Sequence, residues 1–337
     1  MSLLELIYYL GYSLKKHGAL KRQKRLPRRV ISIGNLTLGG TGKTPAAIAL
    51  ARECQKRGWK PCILTRGYRG KVVGPCFVSM GEEPLLDEKQ AGDEALLMAQ
   101  KLRGVPIVKG QDRHHAGMFA LDGLSSAGLP DLFILDDGFQ HWSLFRDKDV
   151  LLIDSTNPFG NGKLFPVGPL REPLREIGRA DIVVITKARS SVKSQKSEDT
   201  IPAKEIKRYN QKATWFYADH RPSGFVTMKG EKLPLEWVKG KKFFGVCGIG
   251  NPASFEKTLI SLGVMLNGLK KYRDHYRYRP ADIRDTIKEA VARKADWIVT
   301  TEKDMVRLRG LEVPENLVAL VIDFSVDKGF YDIVLGV

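Results

Sequence analysis

A glycine-rich run that ends in a lysine and a threonine lies near the start of the chain, at positions 37–44. Glycines let the backbone approach a ligand closely, the lysine supplies a charge for β- and γ-phosphates, and the threonine hydroxyl suits magnesium. These residue types in this order predict a site for a nucleoside triphosphate. The candidate nucleotide-binding residues are Thr37, Leu38, Gly39, Gly40, Thr41, Gly42, Lys43 and Thr44.

The segments on either side of this run support the same interpretation. An apolar segment at 30–33 predicts a strand, and 45–51 predicts a helix. A turn between a strand and a helix directs backbone N–H groups into one concavity at the positive end of the helix dipole, where phosphate binds well. The run departs from the strict P-loop only at Thr37, where a glycine is usual. The alternative is a glycine-rich turn that carries a lysine by chance.

Two aspartates, Asp136 and Asp137, follow a continuous apolar run at 132–135. Such a run is typical of a strand buried on both faces, and its carboxyl end lies at the same sheet edge as a P-loop. Magnesium prefers carboxylate and phosphate oxygens, so Thr44, Asp136 and Asp137 are candidate metal ligands. Side chains alternate along a strand, so we expect only one of the two carboxylates to reach the metal directly. Turn or helix-cap aspartates are the alternative.

Further polar residues follow other predicted strands or occupy loops that prolines keep irregular. In α/β sheets, the carboxyl ends of the strands usually carry the ligand-binding residues. The alternative for Arg66 and Arg69 is a solvated turn, and the alternative for His141 is a packed or solvated histidine. The candidate substrate-binding residues are Asn35, Arg66, Arg69, Gln111, Arg113, His141, Arg171 and Glu172. Thr186 and Lys187 are similar to a guanine-binding loop, but Arg189 stands where that loop needs an aspartate, so guanine specificity is not supported.

The composition is that of a globular protein with a strong excess of positive charge. The 337 residues include 55 Lys and Arg against 38 Asp and Glu, which gives a net charge of +17. Such a surface attracts polyanions, namely nucleic acid, anionic membrane or a phosphorylated substrate. The 4 cysteines have neither a paired nor a zinc-type spacing, which favours reduced thiols. No apolar run approaches the roughly 20 residues that span a bilayer.

The first 29 residues combine an apolar stripe at helical spacing with a basic block. The stripe and block predict a helix that lies on an anionic membrane surface. The alternative is a helix that packs on the core of the protein, followed by a solvated basic tail. The stripe consists of Leu3, Leu4, Ile7, Leu10 and Leu14, and the block of Lys15, Lys16, Lys21, Arg22, Lys24, Arg25, Arg28 and Arg29.

Alternating strands and helices predict an α/β protein with two lobes. We expect a P-loop NTPase-type parallel sheet flanked by helices at 30–214 and a smaller α/β lobe at 215–337. The membrane-surface segment at 1–29 precedes both.

Taken together, the motifs resemble those of one family, the tetraacyldisaccharide 4′-kinases of bacterial lipid A biosynthesis. They run from about residue 30 to residue 308, in the family order. The motifs are GNLTLGGTGKT, LTRGY, AGDE, DDGFQH, PVGPLREP, DHY and TTEKD.

The resemblance implies a phosphotransferase that moves the γ-phosphoryl group of ATP, with Mg²⁺, to the 4′-hydroxyl of a tetraacyldisaccharide 1-phosphate, giving lipid IVA. It implies catalytic roles for Lys43, for Asp93 as the base and for His275 as the support of that base. A carboxylate at a helix start is a poor base unless an imidazole shares the proton, and His275 would meet that need. Since Asp93 and His275 fall in different predicted lobes, domain closure would gate the chemistry.

The same resemblance implies a lipid substrate and a place at the cytoplasmic face of the bacterial inner membrane, peripheral or monotopic. No nucleic-acid partner is expected. Two alternatives stay open at this point. One is a P-loop phosphotransferase or ligase that acts on a soluble acceptor, and the other is a basic, nucleotide-dependent RNA-binding protein.

Overall fold

A computed structural model describes residues 2–124, 128–187 and 201–337. The described chain divides into two compact units. The first contains Met1–His220 and Phe324–Val337, and the second contains Arg221–Asp323. Arg189 lies outside the described residues.

The first unit is an α/β sheet flanked by helices. Its strands are β1 (Arg29–Asn35), β2 (Pro61–Thr65), β3 (Cys76–Met80), β4 (Pro106–Lys109), β5 (Leu132–Asp136), β6 (Lys148–Asp154), β7 (Ile182–Thr186) and the first part of β8 (Thr214–Thr227). Its helices include α1 (Leu3–Lys21), α2 (Lys43–Lys56), α3 (Glu88–Ala91), α4 (Asp93–Lys101), α5 (Arg113–Gly123), α6 (Ile201–Tyr209) and the 3₁₀ helix Leu174–Arg179.

The strand order in this unit is β8-β7-β6-β1-β5-β2-β4-β3. Neighbouring strands are parallel except for β3, which pairs antiparallel with β4 at the edge. The predicted parallel α/β core is therefore confirmed, with one antiparallel edge strand added. Strands β1 and β5 are almost wholly buried, because helices cover both faces of a parallel sheet. Their register pairs Ile33 with Asp136, so the ends of these strands share one edge.

Helix α2 begins directly after the glycine-rich run. Its alanines and leucine favour helix, and its buried face packs on β1, β2 and β5. Pro45 lies in the first turn, where a helical N–H has no partner in the helix. Gly42, the residue before the helix, has φ +91°, a backbone conformation that glycine adopts without strain. The sequence order strand, turn, helix therefore places Lys43 and Thr44 at the start of α2.

The second unit has a smaller sheet of its own. Its strands are β10 (Lys242–Cys247), β11 (Met265–Lys271), β12 (Trp297–Thr301) and β13 (Leu317–Val326), in the order β11-β10-β12-β13, and β9 (Lys232–Leu233) pairs with the end of β8. Its helices are α7 (Pro252–Ser261), α8 (Pro280–Ala292), α9 (Glu302–Leu308) and the 3₁₀ helix Leu235–Val238. The predicted second α/β lobe is thus present.

The end of the chain belongs to the first unit, which differs from the predicted boundary at 215–337. Helix α10 (Gly329–Leu335) follows β13. Arg29 donates hydrogen bonds to the carbonyls of Val334 and Leu335, and Arg57 pairs with Asp332 at 2.7 Å. These contacts join residues about three hundred positions apart, so no local sequence pattern indicates them.

Helix α1 has one face on the first unit and one face in solvent. Tyr8 donates a hydrogen bond to the carbonyl of Arg171, and the buried Glu5 accepts one from the N–H of Leu164. The apolar stripe faces outward, with Leu3, Ile7, Leu10 and Leu14 at 73%, 58%, 52% and 75% exposure. The alternative of a helix packed on the protein therefore holds for one face of α1, and contact of the outward face with a membrane stays a prediction. Within the described ranges, no helix has the length and apolar character needed to cross a membrane.

Candidate active site

The glycine-rich run forms the loop between β1 and α2 and holds Lys43 beside two polar groups. The Lys43 Nζ atom donates a hydrogen bond to Asn35 Oδ1 at 3.1 Å and lies 3.6 Å from Asp137 Oδ1. Asn35 in turn donates to the carbonyl of Thr37 at 2.7 Å, which ties the end of β1 to the loop. These contacts hold the Lys43 ammonium beside the glycine-rich loop.

Asp137 lies between two cations. Its carboxylate accepts hydrogen bonds from Arg171 Nη1 at 3.0 Å to each oxygen, besides the contact with Lys43. These two cations lower the pKa of Asp137, against the opposing effect of its desolvation. The residue has φ +55°, which turns the chain sharply after β5. The carboxylate is therefore ionised and held next to the phosphate loop.

Asp136 occupies a different environment from its neighbour. It is 2% exposed, and its Oδ2 atom accepts a hydrogen bond from Thr65 Oγ1 at 3.3 Å. Thr65 ends β2, the strand beside β5, so two adjacent strand ends fix the carboxylate. Asp136 and Asp137 thus meet different partners, as the alternation along a strand predicts.

The chemistry of these donors fits a magnesium ion that also binds phosphate. Among the described residues, no group of three or more His, Cys, Asp or Glu side chains is arranged to hold a metal. Magnesium in phosphoryl-transfer sites needs only one or two carboxylates, because substrate phosphates and waters complete its coordination. Thr44 and Asp136 are both buried at the loop edge and supply a hydroxyl and a carboxylate of the right type.

The buried Arg113 and the half-buried His141 contact each other. The Arg113 N–H donates to His141 Nε2 at 3.3 Å, and Arg113 Nη1 donates to the carbonyls of Gly110 and Gln111. Burial lowers the pKa of Arg113 to about 10, and the charges of Asp136 and Asp137 oppose that shift. Burial and the nearby Arg113 lower the pKa of His141 to about 4, so its ring is neutral at physiological pH.

Glu172 is buried in a polar cluster rather than open to a ligand. It is 0% exposed and binds Arg179 through two hydrogen bonds of 2.8 Å. Gln140 donates to it at 2.6 Å, and the Tyr12 hydroxyl of α1 lies 3.4 Å away. This cluster supports the neighbouring Arg171, whose Nη1 also donates to Gln140 Oε1 at 3.3 Å. The structure therefore places Glu172 as a support of the loop, and the predicted direct contact with substrate stays untested.

Asp93 is the first residue of α4 and is 4% exposed. The residue that caps the helix is Gly92, with φ +89°, so capping does not account for Asp93. A Cβ at Gly92 would overlap the carbonyl of Tyr68, which shows how closely α4 approaches the LTRGY loop. The Asp93 Oδ1 atom accepts a hydrogen bond from the N–H of Glu94 at 3.0 Å. The carboxylate is thus oriented beside a loop that follows β2.

Three of the predicted substrate-binding residues are exposed. Arg66 and Arg69 lie on the loop after β2, and Gln111 lies after β4, the adjacent strand. Lys109 is buried between the two loops and donates a hydrogen bond of 2.5 Å to the carbonyl of Gln90. The loops therefore share one edge of the sheet, while the substrate roles of the three residues remain predictions.

His275 belongs to the second unit, where the loop around it is held by a buried aspartate. The His275 N–H donates to the carbonyl of Gly248 at 3.0 Å, and the Gly248 N–H donates to Asp304 Oδ1 at 3.0 Å. Asp304 also accepts from the Tyr278 hydroxyl at 2.8 Å and from Arg307 Nη1 at 2.9 Å. Asp304 of the TTEKD segment thus holds Gly248, whose carbonyl in turn binds the backbone of His275.

Sequence reasoning did not single out Gln140, Arg179 or Asp304 as site residues. Gln140 and Asp304 lie inside the motifs DDGFQH and TTEKD, so their place within a motif was the available signal. Arg179 had no local signal, because its importance depends on contacts with Glu172 and with the carbonyl of Phe139.

Comparisons with known proteins give one consistent result. The family described as tetraacyldisaccharide-1-P 4′-kinase matches residues 1–337. A tetraacyldisaccharide 4′-kinase of Syntrophus aciditrophicus is 37% identical, over 99% of this chain and 91% of the relative. One of Halothermothrix orenii is also 37% identical, over 99% and 90%.

A solved structure agrees with these sequence matches. LpxK from Aquifex aeolicus, described as an "apo" form in complex with ATP, superposes with a TM-score of 0.78. It is 30% identical, over 98% of this chain and 96% of that one. The chain therefore belongs to the family of tetraacyldisaccharide-1-phosphate 4′-kinases.

Proposed function

We propose that the site around Lys43 transfers the γ-phosphoryl group of ATP to the 4′-hydroxyl of a tetraacyldisaccharide 1-phosphate, giving lipid IVA. Membership of the family makes the chain an ATP-dependent kinase of a lipid disaccharide phosphate, with Mg²⁺ as its metal. The observation that supports the assignment most is the 3.6 Å contact between Lys43 Nζ and Asp137 Oδ1 at the mouth of the phosphate loop.

The phosphate loop and the two aspartates at the end of β5 bind the triphosphate and its metal in this proposal. The N–H groups of residues 39–44 and the Lys43 ammonium bind the β- and γ-phosphates. Thr44 and the carboxylates of Asp136 and Asp137 would hold the magnesium–phosphate group, and the ion would neutralise phosphate charge when bound. The transition state of phosphoryl transfer is loose, so charge neutralisation and positioning supply most of the rate enhancement.

Asp93 accepts the proton of the 4′-hydroxyl in this proposal. Its carboxylate is oriented by the Glu94 N–H and lies on the helix next to the LTRGY loop. The role of His275 as the support of this base stays a prediction from the family resemblance, and the two residues belong to separate units.

Arg113 and Arg171 provide further positive charge near the transferred group. Arg171 is anchored by Asp137 and Gln140, and Arg113 by two carbonyls of its own loop. Anchored guanidinium groups bind phosphate oxygens without a large cost in side-chain entropy. We propose Arg171 as a contact of the γ-phosphate and Arg113 as a support of the aspartates.

The direct test is an assay with γ-labelled ATP, Mg²⁺ and a tetraacyldisaccharide 1-phosphate in mixed micelles. The expected result is a labelled lipid that carries one more phosphate than the acceptor. Label that moves only to a water-soluble acceptor would favour a soluble-substrate phosphotransferase or ligase. ATP consumption that depends on RNA would favour the RNA-binding alternative, with affinity for RNA that falls steeply with salt.

The membrane surface is the proposed location of this reaction, at the cytoplasmic face of the inner membrane and in a peripheral or monotopic manner. An acceptor with acyl chains stays in the bilayer, so the enzyme must reach it there. The outward stripe of α1 and the exposed basic block that follows it would contact acyl chains and anionic headgroups together. The exposed cations of the block are Lys15, Lys21, Arg22, Lys24, Arg25 and Arg28. We expect no nucleic-acid partner.

Substituting Leu3, Ile7 and Leu10 by serine is expected to weaken binding to anionic vesicles by at least about tenfold. The three side chains are more than half exposed, so their loss removes apolar contact with lipid and leaves the buried face of α1 intact. Each apolar side chain withdrawn from water contributes roughly 1.5–3 kcal/mol when fully buried, and partial insertion contributes less. Co-sedimentation with vesicles that contain about 30% anionic lipid measures this change in binding.

The matched control replaces three exposed apolar residues elsewhere, Ile260, Val291 and Ile333, by serine. This control is expected to bind vesicles like the unaltered protein. If both triple variants bound the vesicles equally well, the apolar stripe of α1 would not contact the membrane, and the helix would have only a structural role.

A further inference from the structure

One histidine near the phosphate loop has no task in the proposed mechanism. His220 lies in β8, and its ring packs against Gly42, the residue that precedes Lys43. The contact is so close that a Cβ at Gly42 would overlap Nε2 and Cε1 of the ring. The ring also makes an edge-type contact with the ring of Phe324, with ring centroids 5.9 Å apart. His220 is therefore packed in a fixed place beside the loop.

Both ring nitrogens of His220 are buried, and neither makes a hydrogen bond to another residue in the described part of the chain. A buried polar atom without a partner costs about 1–3 kcal/mol, so such atoms are rare in native proteins. Leucine or phenylalanine would fill the same space without this cost. The position of the histidine next to a ligand-binding loop points to a partner supplied by the ligand.

The place of His220 in the sheet indicates which part of the ligand would hydrogen-bond its imidazole. Asp136 and Asp137 follow β5, on one side of β1, while β6, β7 and β8 lie on the other side. The metal and the γ-phosphate belong with the aspartates. The other end of ATP must therefore leave the loop toward β6–β8. His220 belongs to β8, three residues beyond Tyr217, which pairs with Ile185 of β7.

The ends of β6 and β7 form a connected polar wall on this side. Lys187 makes an ion pair with Asp154, and the carbonyl of Lys187 accepts a hydrogen bond from Ser155 Oγ at 3.0 Å. Asp154 Oδ1 also accepts from the Thr156 N–H at 2.9 Å. These contacts join the end of β6 and the residues just after it to Lys187, the residue that follows β7. Lys187 of this wall belongs to the Thr186–Lys187 segment, which is similar to a guanine-binding loop but lacks the aspartate of that loop.

The charge of His220 favours a neutral partner. Burial and the nearby Lys187 lower its pKa to about 4, and the more weakly acting Asp154 opposes this shift. A neutral imidazole carries one donor and one acceptor nitrogen, which suits a hydroxyl or a heterocyclic nitrogen better than a phosphate oxygen.

We propose that His220 is a nucleotide-binding residue whose imidazole hydrogen-bonds the nucleoside half of ATP, beside the wall formed by Asp154 and Lys187. This proposal rests on the proposed function, since it presupposes that the triphosphate binds the loop at Lys43. It assigns recognition of the nucleoside to a residue outside every motif that carries the family resemblance.

Two substitutions separate hydrogen bonding from packing. His220→Phe keeps the ring and its contact with Phe324 but removes both nitrogens, whereas His220→Gln keeps a polar group that reaches about as far as Nε2. The measurement is the dissociation constant, by calorimetry with Mg²⁺, for two ligands: ATP and inorganic tripolyphosphate, which lacks a nucleoside. Thermal unfolding of each variant monitors the fold.

We expect His220→Phe to weaken ATP binding about five- to tenfold, the size of one hydrogen bond, and to leave tripolyphosphate binding unchanged. His220→Gln is expected to retain most of the affinity for ATP. Equal weakening of both ligands would show that the ring only supports the loop, and an unchanged or tighter affinity for ATP would also overturn the proposal. If the unaltered protein bound neither ligand, the proposed function itself would fail, which is a different result from any of these.

Discussion

Replacing Lys43 by methionine is expected to lower kcat/KM for ATP by about 10³-fold, the upper range for loss of one preorganised charge in an active site. The Lys43 ammonium is held by Asn35 at 3.1 Å and by Asp137 at 3.6 Å, so the protein itself orients this charge. Methionine keeps the length and most of the packing of the side chain. The loss therefore reports the charge.

Most of this loss should appear in kcat, because the charge on the γ-phosphoryl group shifts as the bond breaks and an ammonium stabilises the transition state more than bound ATP. Steady-state kinetics with the lipid acceptor in micelles, together with calorimetric ATP binding, separates the two terms. The matched control is Lys56→Met at the far end of the same helix, where the side chain is 77% exposed. We expect normal kinetics from the control. If Lys43→Met retained kcat/KM within a factor of about ten, the phosphate-loop assignment would be wrong.

The parts of this site that the sequence predicts are those in which local order fixes geometry. Gly42, Lys43 and Thr44 follow a strand and precede a helix, so their backbone conformation follows from neighbours only a few residues away. Asp136 ends a wholly buried strand, and the pairing of β5 with β1 then places it at the same edge. The apolar run at 132–135 and the glycine-rich run at 37–44 were enough to predict that Lys43 and Asp136 lie at one edge of the sheet.

The parts that the sequence does not predict depend on contacts between distant loops. Arg171 reaches Asp137 across 34 positions, and Tyr12 reaches Glu172 across 160. An arginine in a proline-rich loop is as well suited to solvent as to a carboxylate, and only the folded chain decides between them. The same reason explains the C-terminal helix, which packs through Asp332 on Arg57 of the first unit although the strand before it begins in the second.

The direction that the apolar stripe of helix α1 faces also depends on contacts with distant residues. The periodicity of Leu3, Ile7, Leu10 and Leu14 predicts an apolar stripe but not the side on which the stripe lies. Polar contacts decide it, because the Tyr8 hydroxyl and the Glu5 carboxylate bind the loop at 164–171 and turn the leucines outward. A buried glutamate within an apolar helix was the local sign of this orientation.

Replacing Asp93 by asparagine is expected to lower kcat by about 10²- to 10⁴-fold, the usual range for loss of a general base, with the affinity for ATP changed by less than about twofold. Asparagine keeps the shape of the side chain and an oxygen that can accept from the Glu94 N–H, so the start of α4 should be preserved. What it loses is the ability to take a proton from the acceptor hydroxyl. Because the N-cap position is Gly92 and not Asp93, the loss of stability should be small.

A matched control is available at the next position, since Glu94→Gln makes the same change of charge in the same helical turn. If the negative charge near the site were what mattered, both variants would lose activity to a similar extent. If Asp93 acts as the base, only Asp93→Asn loses it, and kcat falls while calorimetric ATP binding stays constant. A parallel loss of kcat and ATP affinity in Asp93→Asn would instead assign Asp93 to nucleotide positioning, because a base that meets only the acceptor has no reason to alter how tightly the free enzyme holds ATP.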